Sequence, residues 1–123
     1  MRYVFFTKML RRMGIPELVS ALRTMGVDGA DLAVRPGYPV NPENVRRELP
    51  RAARSLREAG LEVPLVSAAT DLNDPRHPIV EPLFAACHDA QVPCIKLGYW
   101  QYRDGDYRTQ VDAARRQIAE FEK

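Results

Sequence analysis

One pattern constrains this 123-residue chain more than any other. A short apolar run, a polar loop and a segment of helical period recur four times, roughly every 30 residues. The apolar runs fall at residues 3–7, 30–35, 63–69 and 94–97. Strands that alternate with helices imply a parallel sheet covered by helices, because a parallel connection must cross from one end of the sheet to the other. Pro16 suits the first turn of the first helix, whose apolar stripe is Leu18, Val19, Leu22 and Met25, and Gly26 stops it. The second helical segment sets Val45, Leu49, Ala52, Ala53 and Leu56 on one face and ends at Gly60. Pro50 within it predicts a kink, or a short helix followed by a longer one. Pro78 is expected to open the third helix, with Ile79, Val80, Leu83, Phe84 and Cys87 inside. Asp106 is a suitable N-cap for the fourth, whose inner stripe reads Val111, Ala114, Ile118 and Phe121. No low-complexity linker divides the chain, so residues 1–123 read as a single α/β domain.

The two kinds of connection differ in chemistry. Helix-to-strand links, at residues 26–29, 60–62 and 91–93, are short and plain. Strand-to-helix links are long and carry Lys8, Arg11, Arg12, Arg35, Tyr38, Thr70, Asp71, His77, Tyr99, Trp100 and Tyr102. Parallel α/β folds bind ligands at the carboxyl ends of their strands, which is where these side chains gather. Strand alternation refines the picture. Ile95 and Leu97 share one face, suited to packing under helices, and Lys96 and Gly98 the other. Leu32 and Val34 face the helices, which turns Asp31, Ala33 and Arg35 inward. A lysine on an inner face needs an anion or an acceptor, because an unpaired buried charge is costly. Lys96 therefore either pairs with Asp31 or meets a ligand. The planar fork of Arg35 either takes a phosphate or carboxylate or is solvated and caps a loop. Thr70 and Asp71 either initiate a turn or touch substrate. Tyr99, Trp100 and Tyr102 either stack on a sugar ring or pack beneath a loop.

Composition excludes several classes. A net charge of +2 is too mild to imply a nucleic-acid or acidic-membrane partner. Arg46, Arg47, Arg51, Arg54 and Arg57, interspersed with Glu48 and Glu58, read as a solvated helix face without the aromatic interleaving of a nucleic-acid groove. Cys87 and Cys94 form neither a CxxC pair nor a zinc framework, and His77 and His88 lack ligand spacing. Free thiols in a reducing cytoplasm are the expectation. The apolar N-terminal stretch is broken at Lys8, Arg11 and Arg12, too soon for a signal peptide or a membrane span, which again points to the cytoplasm.

The segment from Gly26 through Ala30, Asp31 and Arg35 to Gly37 resembles the second-strand block of the sugar-phosphate isomerase/epimerase family, the xylose-isomerase-like barrels. Phe6-Thr7-Lys8, Ala69-Thr70-Asp71 and Lys96-Leu97-Gly98-Tyr99 with Tyr102 are similar to its other early blocks in order and spacing. The resemblance spans the chain and implies a partial TIM-barrel type fold: four β-α units, the N-terminal half of a (β/α)₈ barrel. It implies a sugar or sugar phosphate as ligand, with Lys8, Arg35, Thr70, Asp71, Lys96, Tyr99 and Tyr102 on the substrate-facing side. Family members isomerise or epimerise sugars with a divalent metal (Mn, Co, Mg or Zn) held by Glu, Asp, His and Glu at later strands. None of those ligands has a counterpart here, so no metal or catalytic residue is carried over and the isolated piece is expected to be inactive. A half barrel also exposes its first and last strand edges, which a homodimer or a complementary half-barrel chain would cover. Two other functions fit the same features: a non-catalytic sugar-binding or assembly module, and an AP-endonuclease-like relative. Thr70 and Tyr99 stand where the latter needs metal-ligating histidines.

Overall fold

Four short strands form one sheet in the computed structural model, which describes residues 1–123. They are β1 Val4–Phe6, β2 Gly29–Ala33, β3 Glu62–Ser67 and β4 Cys94–Lys96. All three pairings are parallel, and the spatial order follows the sequence, β1-β2-β3-β4. A 3₁₀ turn at Thr7–Leu10 leads into α1 Ile15–Met25, followed in turn by α2 Val45–Glu58, α3 Val80–Asp89 and α4 Tyr107–Phe121. Gly26 closes α1 in the left-handed region at φ 70°, as its position predicts. No helix is long and apolar enough to cross a membrane.

The apolar core lies between one face of this sheet and the helices. Leu32 and Val34 of the second unit join Val63, Val66 and Ala68 of the third in a cluster with Leu18 and Leu22 of α1, Leu49, Ala53 and Leu56 of α2, and Leu83 and Ala86 of α3. Phe5 and Ile95 pack against the same cluster from the two outer strands. The alternate residues occupy the opposite face, where the register aligns Phe6, Asp31, Leu65 and Cys94 across the sheet. Right-handed crossovers between neighbours taken in sequence order put every helix on the same side. The other face carries no layer of its own.

Three local expectations are corrected. Pro50 does not divide the second helix; α2 runs through it unbroken. Its ring removes one backbone bond, but Val45 and Leu49 before it and Ala52, Ala53 and Leu56 after it are all buried in the core, which holds both parts in one helix. Pro78 does not open α3. It lies in a turn where the Val80 N–H donates to the His77 carbonyl (2.9 Å) and the Ile79 N–H to His77 Nδ1 (3.2 Å), so the helix starts two residues later. Ile118, expected on the inner stripe of α4, is 41% exposed, although Phe121 is buried and stacks on Phe84 with ring centroids 6.1 Å apart.

Gly98 is where the sheet meets its functional loops. A Cβ there would lie 2.6 Å from the Leu72 nitrogen and 2.7 Å from the Thr70 carbonyl oxygen, because the chain after β4 packs backbone to backbone on the chain after β3. Hydrogen bonds from the Gly98 N–H to the Leu72 carbonyl (2.7 Å) and from the Tyr99 N–H to the Thr70 carbonyl (2.8 Å) hold the two together. Gly98→Ala is expected to cost about 1–3 kcal/mol, the range for overpacking against atoms that cannot yield, read as a lower denaturation midpoint at unchanged slope.

Candidate functional site

The polar side chains assemble on the uncovered face and at the carboxyl ends of the strands. Phe6 forms the floor. The Arg35 guanidinium carbon lies 5.4 Å from the centre of its ring and Lys96 Nζ 5.7 Å. Phe6 belongs to β1 and Lys96 to β4, three strand spacings away. In a flat sheet those strands stand about 14 Å apart with side chains roughly perpendicular to the plane. Their meeting requires the sheet to curl toward this face. Two cations thus share one aromatic surface.

Arg35 is anchored at the end of the second strand by its Nε, which donates to the Ala68 carbonyl at 3.0 Å. Lys96 Nζ donates to the Tyr99 hydroxyl at 2.9 Å and lies 5.2 Å from the centre of the same ring. Lys8 sits in the 3₁₀ turn with its side chain exposed, and its backbone carbonyl accepts from the Tyr38 hydroxyl (3.0 Å). None of the chain's ion pairs involves Lys8, Arg35 or Lys96. The hydrogen bond from Lys96 and its charge, reinforced by the charges of Arg35 and Lys8, hold the Tyr99 phenol below the usual tyrosine range.

Asp31 lies on the same face but is not the counter-ion of Lys96. One carboxylate oxygen accepts from the Ser67 hydroxyl at 2.9 Å, while the other is buried with no hydrogen-bond partner. Lys96 reaches up to Tyr99 instead. Burial pushes the Asp31 carboxyl above its ordinary value of 3.8, against the Ser67 hydrogen bond and the charges of Lys96 and Arg35. The structural ion pair that the strand pattern allowed does not form, which leaves Lys96 for a ligand.

The remaining candidates line the loops. Thr70 and Asp71 join Asn73, Tyr99, Trp100 and Arg103 around an open cleft of about 630 Å³. The Thr70 carbonyl accepts from Tyr99, and the Asp71 carbonyl accepts the Asn73 N–H at 2.9 Å, so the turn allowed to this pair forms, at the wall of the cleft. Asn73 Nδ2 donates to the Tyr99 carbonyl (3.2 Å), which fixes that residue from a third side. Tyr102 is drawn elsewhere: its hydroxyl donates to the Gly105 carbonyl (2.9 Å) and its ring packs 5.9 Å from that of Tyr107. Trp100 Nε1 donates to Gln117 Oε1 (2.6 Å) and ties the loop to α4. Phe6 and Ser67 were not singled out by the sequence as site residues. Strand alternation carried from β1 to β3 places both on the face of Asp31 and Lys96.

Nowhere do three His, Cys, Asp or Glu side chains converge as metal ligands would. The residues present do not fit the divalent ion that the resemblance implies. The thiol of Cys87 is buried, which pushes it up to about 12, and Cys94 is exposed on β4. The basic run on α2 is a structural surface: Arg47 and Arg51 pair with Glu48, Arg46 with Glu81, and Arg57 donates to the Ala90 and Gln91 carbonyls at the end of α3. Against known proteins, no family model and no curated sequence matches the chain.

The half-buried Asp31 carboxyl yields a pH-dependent prediction. Its folded pKa is raised, so the folded state holds this proton more tightly than the unfolded chain does. That preference costs stability as pH rises from about 3.8 through the raised value, and nothing below both. Asp31→Asn keeps an acceptor for Ser67 and removes the charge. It is expected to raise the denaturation midpoint at neutral pH and to lose that advantage at pH about 3; an equal gain at both pH values would show that the charge is not the cause.

Proposed function

We propose that this chain is one half of a sugar-phosphate isomerase/epimerase-like (β/α)₈ barrel, and that its contribution is to hold the anionic sugar. The observation that carries the reading is the meeting of Arg35 and Lys96 over Phe6, at the carboxyl end of a curled sheet whose helices all lie on one side. Singly wound order is the arrangement of barrel strands, whereas a doubly wound sheet reverses its order and covers both faces. Within a barrel the curled face is the interior, and the loops after each strand form the mouth.

The chemistry of that mouth suits a phosphorylated polyol. Arg35 keeps its terminal nitrogens free of any carboxylate, and Lys96 keeps two of its three protons, so both can bind an anion. Tyr99, the Thr70–Asp71 turn and Trp100 supply hydroxyl, carboxylate and ring surface for the sugar. The proton transfer of isomerisation needs a base beside the carbon and a charge on the oxygens. The donors for a metal are not in this chain, so binding without turnover is the activity expected of it alone.

Isothermal titration with glucose 6-phosphate, and with glucose as the uncharged control, tests the reading. Arg35→Ala is expected to weaken glucose 6-phosphate about 10- to 100-fold, the equivalent of losing about 1.5–3 kcal/mol of charge-assisted hydrogen bonding. Unchanged affinity, or equal affinity for the two sugars, would remove the anion site. Elemental analysis of the purified chain is expected to find no stoichiometric divalent ion; a bound equivalent of Mn or Zn would contradict that.

A further inference from the structure

Asp31 shares the inner face of the sheet with the two cations assigned to the anion. The register sets it beside Phe6, whose ring carries Arg35 and Lys96. On its other side Ser67 donates to Oδ2 at 2.9 Å, and Ser67 is itself paired with Lys96 on the next strand. Oδ1 is buried and has no hydrogen-bond partner. Burial is the strongest influence on this carboxyl and disfavours its charge, while the Ser67 hydrogen bond and the charges of Lys96 and Arg35 favour it. The other titratable groups around it are engaged elsewhere. Glu62 pairs with Arg2, Lys8 acts on Tyr99, the His77 ring accepts from the Ile79 N–H, and Asp71 lines the loop cleft. Cys94 lies two strands away, exposed on β4.

We propose that the anion site works together with a proton: an oxyanion held by Arg35 and Lys96 draws one proton from solvent onto Oδ1 of Asp31, and an ionised Asp31 in turn weakens the anion. A bound anion neutralises the two cations that favour the carboxylate, and it adds a like charge beside it. Both effects favour the protonated form. Ser67 occupies Oδ2 alone, so Oδ1 is the oxygen left to take the proton. Neither Arg35 nor Lys96 forms an ion pair with Asp31, so their charges can pass to the ligand without breaking a bond inside the chain.

The direction of the coupling follows from reciprocity. If the anion favours the proton, the proton favours the anion by the same factor. Affinity is therefore highest at low pH, where Asp31 is already protonated in the free chain. It falls as pH rises from the pKa of the free protein toward the higher pKa of the anion-bound one, and is level beyond both. Between those two values binding takes up protons from the buffer. Arg35 and Lys96 stay charged throughout this range and contribute nothing to the slope. Tyr99, which Lys96 also holds, titrates on the alkaline side of it, so the two groups separate by pH. The site thus holds an oxyanion in mild acid and loosens it as pH rises, without any movement of the backbone.

The inference rests on the anion part of the proposed function and not on the sugar. Sulfate is the probe, because its own charge does not change over the range in which Asp31 titrates. The Asp31 side-chain carboxyl carbon is followed by NMR through a pH series, with saturating sulfate and with chloride at equal ionic strength. Its midpoint is expected to rise when sulfate is bound. Sulfate affinity is expected to be about 10-fold higher below the Asp31 transition than above it, the equivalent of one unit in that midpoint. Asp31→Asn is expected to abolish this dependence and to keep the tighter affinity at neutral pH, and Tyr99→Phe to leave it in place. A midpoint that bound sulfate does not move would overturn the inference, as would a dependence that survives in Asp31→Asn. If Asp31→Asn fails to fold, the carboxyl titration of the unaltered chain decides alone. Sulfate that does not bind, or that binds equally well to Arg35→Ala, would remove the anion site and this inference with it. A midpoint that moves with sulfate while glucose 6-phosphate binds no better than sulfate would sustain the proton coupling and count against the sugar.

Discussion

Burial of one sheet face, and only one, is the constraint from which the rest of this structure follows. The helices α1 to α3 close over Leu32, Val34, Val63, Val66 and Ala68, and the core cluster is confined to that side. A parallel sheet has no second means of covering its other face except another helical layer or its own curvature. Here it curls, enough to bring a lysine on β4 onto a phenylalanine on β1. The opposite face is thereby freed from packing duty, and charged residues can occupy it at positions that a doubly covered sheet would fill with valine and isoleucine.

The cationic group at the strand ends is a consequence of that geometry. Arg35 and Lys96 are each held by one hydrogen bond, to the Ala68 carbonyl and to the Tyr99 hydroxyl, and their remaining donors have no partner within the chain. Placing two like charges on one aromatic ring without a carboxylate between them is unfavourable in isolation. The attraction of the ring offsets part of that cost, and a bound anion would offset more. Asp31 forms an ion pair with neither, because its carboxylate is engaged by Ser67 and partly desolvated. The close approach at Gly98 adds rigidity, since it locks the loop that carries Tyr99 onto the loop that carries Thr70 and Asp71.

Much of the fold was legible in the sequence because its signals are periodic. Four apolar runs and four helical stripes located the four strands and the four α-helices, though not the 3₁₀ turn at Thr7–Leu10, and alternation put Asp31 and Lys96 on the inner side and Leu32 and Val34 under the helices. What periodicity could not resolve was local or long-range. Pro50 reads as a breaker unless the burial on both sides of it is known, and Pro78 reads as a helix start unless the turn made by His77 is seen. Ile118 fits the stripe of α4, yet it lies over a cleft that nothing in this chain fills. The site was half legible. Arg35 and Lys96 share the face that their strand positions suggest, while Tyr102 turns to Gly105 and Lys96 bonds Tyr99 and not Asp31. Those choices depend on how far the sheet curls, which residue types do not encode. The role of Phe6 is hidden for the same reason, since its partners come from strands remote in sequence.

Backbone amide shifts in a ¹⁵N-labelled sample, followed while glucose 6-phosphate is added, test the central claim most directly, because the chain carries two basic surfaces and the account assigns the anion to one of them. Shifts centred on Arg35, the Thr70–Asp71 turn and Lys96 to Tyr99, with the amides of Arg46 to Arg57 unmoved, are the predicted result. Shifts centred on α2, or spread evenly over the surface, would contradict it.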